Sequence, residues 1–199
     1  REGKFIGNGR IIAANFFNDG THHRAYYYQV PGRIGDYYDS DGRSLRKIFL
    51  RSPLRYSRIS SGFSKRRLHP ILKIYRPHPG IDYAAPKGTP VVAVGDGRVI
   101  SKGWKNGYGR FIAIRHNNRY TTSYGHLSRY ASKVSKGSVV KQGQVIGSVG
   151  STGLATGPHL DFRMKKNGRF VNPLKVRLPA ARPISPDHLE AFRQRAAYL

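Results

Sequence analysis

Between Pro90 and Val149 the chain passes through five short apolar stretches, Pro90-Val91-Val92-Ala93-Val94, Gly97-Arg98-Val99-Ile100-Ser101, Arg110-Phe111-Ile112-Ala113-Ile114-Arg115, Tyr120-Thr121-Thr122-Ser123-Tyr124 and Gln144-Val145-Ile146-Gly147-Ser148-Val149. Three of the four breaks between them contain glycine, and three of the four are shorter than the dozen or so residues that a crossover between parallel strands requires. No strand-helix-strand rhythm is present. Closely spaced short strands joined by glycine turns pack as an antiparallel sandwich or barrel, so this part of the chain is expected to be an all-β, antiparallel β-sandwich.

The two ends read differently. Residues 1 to about 50 form a small β-rich module, with runs at Ile11–Phe17 and Arg24–Val30 on either side of Asn18-Asp19-Gly20, whose Asp-Gly step suits a hairpin turn. Ser44-Leu45-Arg46-Lys47-Ile48-Phe49-Leu50 is expected to be a short helix capped by Ser44. Pro53 breaks that pattern and marks a linker near Arg51 to Tyr56. At the other end Pro186 opens a sequence expected to be helical to Ala196, after an arm containing Pro179 and Pro183. The expected divisions are 1–56, 57–178 and 179–199. The opening Arg1-Glu2-Gly3-Lys4 lacks the apolar stretch of a signal peptide, as expected of a fragment or mature form.

With no cysteine in 199 residues, neither disulfides nor a thiolate-held metal is available. Any metal must be held by His, Asp or Glu. The formal charge of +26 calls for an anionic partner: nucleic acid, an acidic membrane surface or an acidic polymer such as cell wall. After Ser61 the only acids are Asp82, Asp96, Asp161, Asp187 and Glu190, so an acid retained there is conspicuous.

Two of these acids fall beside histidines. In His78-Pro79-Gly80-Ile81-Asp82 a Pro-Gly turn excludes a regular helix and lets an imidazole and a carboxylate converge, both suitable zinc ligands. In Gly157-Pro158-His159-Leu160-Asp161-Phe162, strand alternation puts His159 and Asp161 on one face and Leu160 and Phe162 on the other. His126 follows an aromatic strand at Tyr124-Gly125-His126-Leu127-Ser128. Taken singly, each is ordinary: a surface His-Asp pair, a solvated strand face, a structural histidine.

Taken together, and with Ser60-Ser61-Gly62-Phe63-Ser64, Leu68-His69-Pro70-Ile71, Ser151-Thr152-Gly153 and Val171-Asn172-Pro173-Leu174, these segments resemble the lysostaphin/LytM-type zinc endopeptidases over most of residues 57 to 178. The resemblance implies that His78 and Asp82 ligate Zn2+ and that His126 and His159 line the catalytic water and the oxyanion, with their individual roles open. The third ligand of that family is usually the second His of a His-x-His pair. Asp161 stands at that position here. Either Asp161 ligates through oxygen, leaving an open site for water, or it marks a domain that has lost its metal and acts as a wall-binding or amidase-activating module. Retention of the other four residues favours the enzyme, and a histidine placed at 161 would be expected to keep zinc.

The segment Gly35–Ser61 also resembles the module preceding the peptidase domain in murein endopeptidases of Gram-negative bacteria. That implies an exported protein of the periplasm or cell envelope, with peptidoglycan as its partner and D-alanyl-diaminopimelate bonds as its target. The charge allows peripheral association with the envelope. No nucleic acid is expected as a partner, because the basic and aromatic residues are dispersed and form no recognised nucleic-acid motif. The sequence leaves the oligomeric state open.

Overall fold

The computed structural model of the chain describes residues 9–33, 35–55, 58–68 and 71–199. The opening Arg1-Glu2-Gly3-Lys4, and Tyr56, Ser57, His69 and Pro70 among the segments cited above, lie outside the described residues. The chain divides into two compact units, residues 1–48 with 178–199, and residues 49–177.

In the first unit, β1 (Ala13–Asn18), β2 (Thr21–Tyr28) and β3 (Asp36–Tyr38) form an antiparallel sheet. Asn18 pairs with Thr21 across a two-residue turn in which Asp19 and Gly20 have φ of 47° and 73°, the left-handed backbone that an Asp-Gly hairpin supplies. The helix α1 (Pro186–Ala197) begins with Pro at its first turn, where the missing N–H costs nothing. Its Phe192 is buried and meets Tyr26, Tyr28 and Tyr38 edge-on at ring-centroid distances of 6.2, 5.4 and 6.1 Å. The expected helix at 44–50 does not form. Its backbone is bonded elsewhere: Leu45 N–H donates to the Tyr37 carbonyl, Ile48 N–H to Pro179, and the Arg46 carbonyl accepts from Ala181. The Ser44 hydroxyl accepts from Arg46 N–H. Long-range pairing of these groups outweighs a local helical preference that is worth little per residue.

The second unit contains β4 (Arg58–Ser61), β5 (Ser64–Leu68), β6 (Tyr75–His78), β7 (Ile81–Ala84), β8 (Pro90–Val92), β9 (Gly97–Lys105), β10 (Gly109–Arg115), β11 (Tyr120–Tyr130), β12 (Val139–Val140), β13 (Val145–Val149), β14 (His159–Lys166) and β15 (Arg169–Val171). Ten of them form one antiparallel sheet with the order β12-β9-β10-β11-β14-β7-β4, to which β13, β8 and β15 attach as branches. The strands β5 and β6 form a separate hairpin. The architecture is all-β and antiparallel, as the glycine-punctuated apolar runs imply. No helix among the described residues is long and apolar enough to cross a membrane.

Strand β11 organises this unit. It pairs with β10 along one edge and β14 along the other, then, past a bulge, with β13. Ile81, Ile112, Ile114, Tyr124, Leu127, Ile146, Leu160 and Phe162 are almost wholly buried and form the core.

A polar chain crosses that core. The Tyr124 hydroxyl accepts from Val94 N–H and from the Thr122 hydroxyl, each at 3.0 Å, and His116 Nε2 lies 2.7 Å from Thr122 Oγ1. Burial pushes the Tyr124 phenol pKa up to about 12. Because Val94 is fully buried, Tyr124→Phe leaves an amide without a partner and is expected to destabilise the domain by about 1–3 kcal/mol. An unchanged urea midpoint would contradict this.

Candidate metal centre

The strands β7 and β14 lie side by side, with Asp82 directly opposite Asp161. Two carboxylates facing each other across an antiparallel pair repel, and both are buried, 7% and 5% exposed. The surrounding groups must compensate. His78, at the end of β6 and 3% exposed, brings its Nε2 to 3.0 Å from Asp82 Oδ1. Arg67 on β5 donates to Asp82 Oδ2 at 3.2 Å and also to the Ser61 hydroxyl. Arg163 on β14 grips both oxygens of Asp161, with Nε to Oδ1 at 2.8 Å and Nη2 to Oδ2 at 2.6 Å.

The turn sequence explains how the strands approach so closely. A Cβ at Gly80 would lie 2.7 Å from Arg163 Cγ, 2.9 Å from the Phe162 carbonyl oxygen and 3.0 Å from Asp161 Oδ1. Only glycine fits between β7 and β14 there without moving the backbone.

His78, Asp82 and Asp161 offer one ligand atom each within 4.8 Å of one another. The fit to a metal can be tested on the hydrogen bonds. His78 Nδ1 lies 3.0 Å from the Gly62 carbonyl oxygen, which only accepts, so Nδ1 carries the hydrogen. In the neutral ring Nε2 then presents a lone pair to Asp82 Oδ1, and both atoms are buried without a hydrogen-bond partner. Protonating His78 relieves this opposition; so does a cation held by both atoms, and Asp161 stands ready as a third donor. The donor set of one imidazole and two carboxylates suits zinc. Burial works to raise the Asp82 pKa, but a proton and positive charge on His78, together with His159 and Arg67, outweigh it and hold the carboxyl below its ordinary value. Asp82 is therefore an anion.

His126 and His159 sit beside this triad with ring centroids 4.6 Å apart. His126 Nδ1 bonds the Thr152 carbonyl at 2.7 Å and His159 Nδ1 bonds the Gly157 carbonyl at 2.8 Å. Each ring is thereby fixed in one orientation with Nε2 as its remaining polar atom. Burial lowers the His126 pKa, opposed by the Thr152 hydrogen bond and reinforced by His159. His126 is not at a strand end: it lies within β11 at a bulge, where Gly125 and His126 together oppose Phe111, and its φ is 59°. A bulge redirects a side chain without ending the strand, and a left-handed histidine is uncommon enough to mark a constrained site.

All five residues line one cleft of about 810 Å³, together with Arg76, Tyr108 and Arg163 among others. Sequence reasoning missed Arg67 and Arg163. Arg163 did carry a signal: His159, Asp161 and Arg163 alternate along one face of β14, while Leu160, Phe162 and Met164 are buried on the other.

Residues 76–173, which contain all five site residues, match Peptidase family M23. The catalytic domain of the antimicrobial peptidase lysostaphin from Staphylococcus simulans is similar at 34% identity and a TM-score of 0.53, over 59% of this chain and 90% of that one. This chain belongs to peptidase family M23. Other relatives come from Vibrio cholerae. A zinc containing peptidase is 38% identical, with a TM-score of 0.63 over 86% of this chain and 52% of that one. Peptidoglycan DD-endopeptidase ShyC is 46% identical over 191 residues, 96% of this chain. The chain spans 43% of the length of that relative.

Proposed function

We propose that this M23 chain is the peptidase part of a zinc-dependent endopeptidase that hydrolyses peptide crosslinks or stem peptides of peptidoglycan, at D-alanyl-diaminopimelate bonds, in the periplasm or cell envelope of a Gram-negative bacterium. The observation that carries the reading is the convergence of three buried metal-capable side chains, two of them with ligand atoms 3.0 Å apart, beside two histidines that present Nε2 to the same cleft. A relative named as a peptidoglycan DD-endopeptidase supports the substrate class.

When bound by His78, Asp82 and Asp161, zinc supplies a Lewis acid. The protein's own residues do the rest. One of His126 and His159 takes the proton from the attacking water through Nε2, and the other holds the oxygen on which negative charge develops. The backbone carbonyls of Thr152 and Gly157 keep both rings aligned. No glutamate is among the described residues that line the cleft, which leaves the histidines as the candidate bases. Arg76, exposed at the cleft on β6, and the excess of basic residues suit a substrate that bears free carboxylates.

Digestion of purified crosslinked muropeptides, with and without a chelator, tests the proposal. Cleavage should disappear on chelation and return on adding zinc. A purified protein that carries no stoichiometric zinc and cleaves nothing would instead be a wall-binding module on the same fold.

A further inference from the structure

A carboxylate directly opposite another carboxylate, nine-tenths buried, should be a poor metal ligand unless something fixes its direction and cancels its charge. Arg163 does both. Its guanidinium forms a two-point fork on Asp161, while its Nη1 donates to the Tyr108 hydroxyl at 2.7 Å and its plane lies over the Tyr108 ring at 4.6 Å. The Arg163 side chain is 14% exposed. A guanidinium is not deprotonated in proteins, so Arg163 remains a cation there. A carboxylate has about four lone-pair positions. The fork takes one on each oxygen and leaves the others free, so the grip orients Asp161 without blocking it.

We propose that Arg163 is the positioning residue of the metal centre: it locks Asp161 into a single orientation and neutralises it, so that Asp161 and Arg163 act as one uncharged ligand unit. The inference rests on the reading of His78, Asp82 and Asp161 as a zinc site. It also changes what a histidine at 161 does. A metal-ligating imidazole carries N–H on its other nitrogen and needs an acceptor there. Arg163 has donors only, so Asp161→His sets donor against donor beside a stranded, buried cation.

The test uses metal-stripped full chain titrated with zinc alone against a chromogenic chelator, with circular dichroism in metal-free buffer to verify folding. Arg163→Lys keeps the charge but loses the fork, and zinc affinity should fall by about 10- to 100-fold. Asp161→His should bind zinc more weakly than the wild type. Asp161→His/Arg163→Glu, which supplies the missing acceptor, should recover affinity to within about tenfold of the wild type, on the scale of such outer-shell effects. Wild-type affinity in folded Arg163→Lys, or an Asp161→His single variant that binds as tightly as the double, overturns the role of Arg163. If the wild type takes up no zinc, or His78→Ala takes up as much, the metal centre itself is misassigned, and the inference falls with it.

Discussion

His78→Ala and Asp82→Ala should each lose both zinc and muropeptide cleavage. Outer-shell changes around a metal cost about 10- to 100-fold in affinity, and removing one of three protein ligands must cost more. The two losses arise differently. His78→Ala deletes the Nε2 lone pair and leaves Asp82 Oδ1 without its 3.0 Å neighbour. Asp82→Ala deletes the anion, and it also unpairs Arg67, whose Nη2 would then point into the cleft with no carboxylate to meet. Asp82→Asn separates these effects, because it keeps the shape and an acceptor for Arg67 while removing the charge. Zinc content by mass spectrometry of the purified proteins, set beside their circular dichroism, provides the readout. Full occupancy in both folded alanine variants would place the ion elsewhere.

Much of this arrangement is legible in the residues themselves. Glycine-broken apolar runs locate β8 through β11 and β13, because a strand buried on a core face must be apolar and a tight antiparallel turn favours glycine. His159-Leu160-Asp161-Phe162 announces its two faces through period-two alternation. What stays hidden depends on partners distant in sequence. The stretch 44–50 looks helical until its backbone groups find Tyr37, Pro179 and Ala181. Nothing local in Pro186–Ala197 reveals that Phe192 packs among Tyr26, Tyr28 and Tyr38. His126 reads as a residue at the end of the strand Tyr120-Thr121-Thr122-Ser123-Tyr124, whereas the bulge carries β11 on to Tyr130 and turns His126 inward. Arg67 could not be singled out among 36 basic residues, since only the β5–β6 hairpin brings it to Asp82.

His126→Ala and His159→Ala are expected to keep zinc and lose about 10²-fold or more in turnover, the scale for removing a general base or an oxyanion donor. Neither ring is needed to hold the ion if the ligands are His78, Asp82 and Asp161, so metal content and rate should separate in these variants as they do not in His78→Ala. The structure makes the two histidines a pair: tilted rings 4.6 Å apart, each pinned through Nδ1 to a backbone carbonyl, share one cleft. Proton removal and oxyanion stabilisation serve the same transition state, and groups acting as a unit lose their effect together. The double variant His126→Ala/His159→Ala should therefore be impaired by much less than the product of the two single losses. Single-turnover rates on one crosslinked muropeptide, with zinc content measured on the same samples, provide the comparison. Near wild-type turnover in His159→Ala would remove that residue from the mechanism, and strictly multiplicative losses would mean that the two histidines contribute independently rather than as a unit.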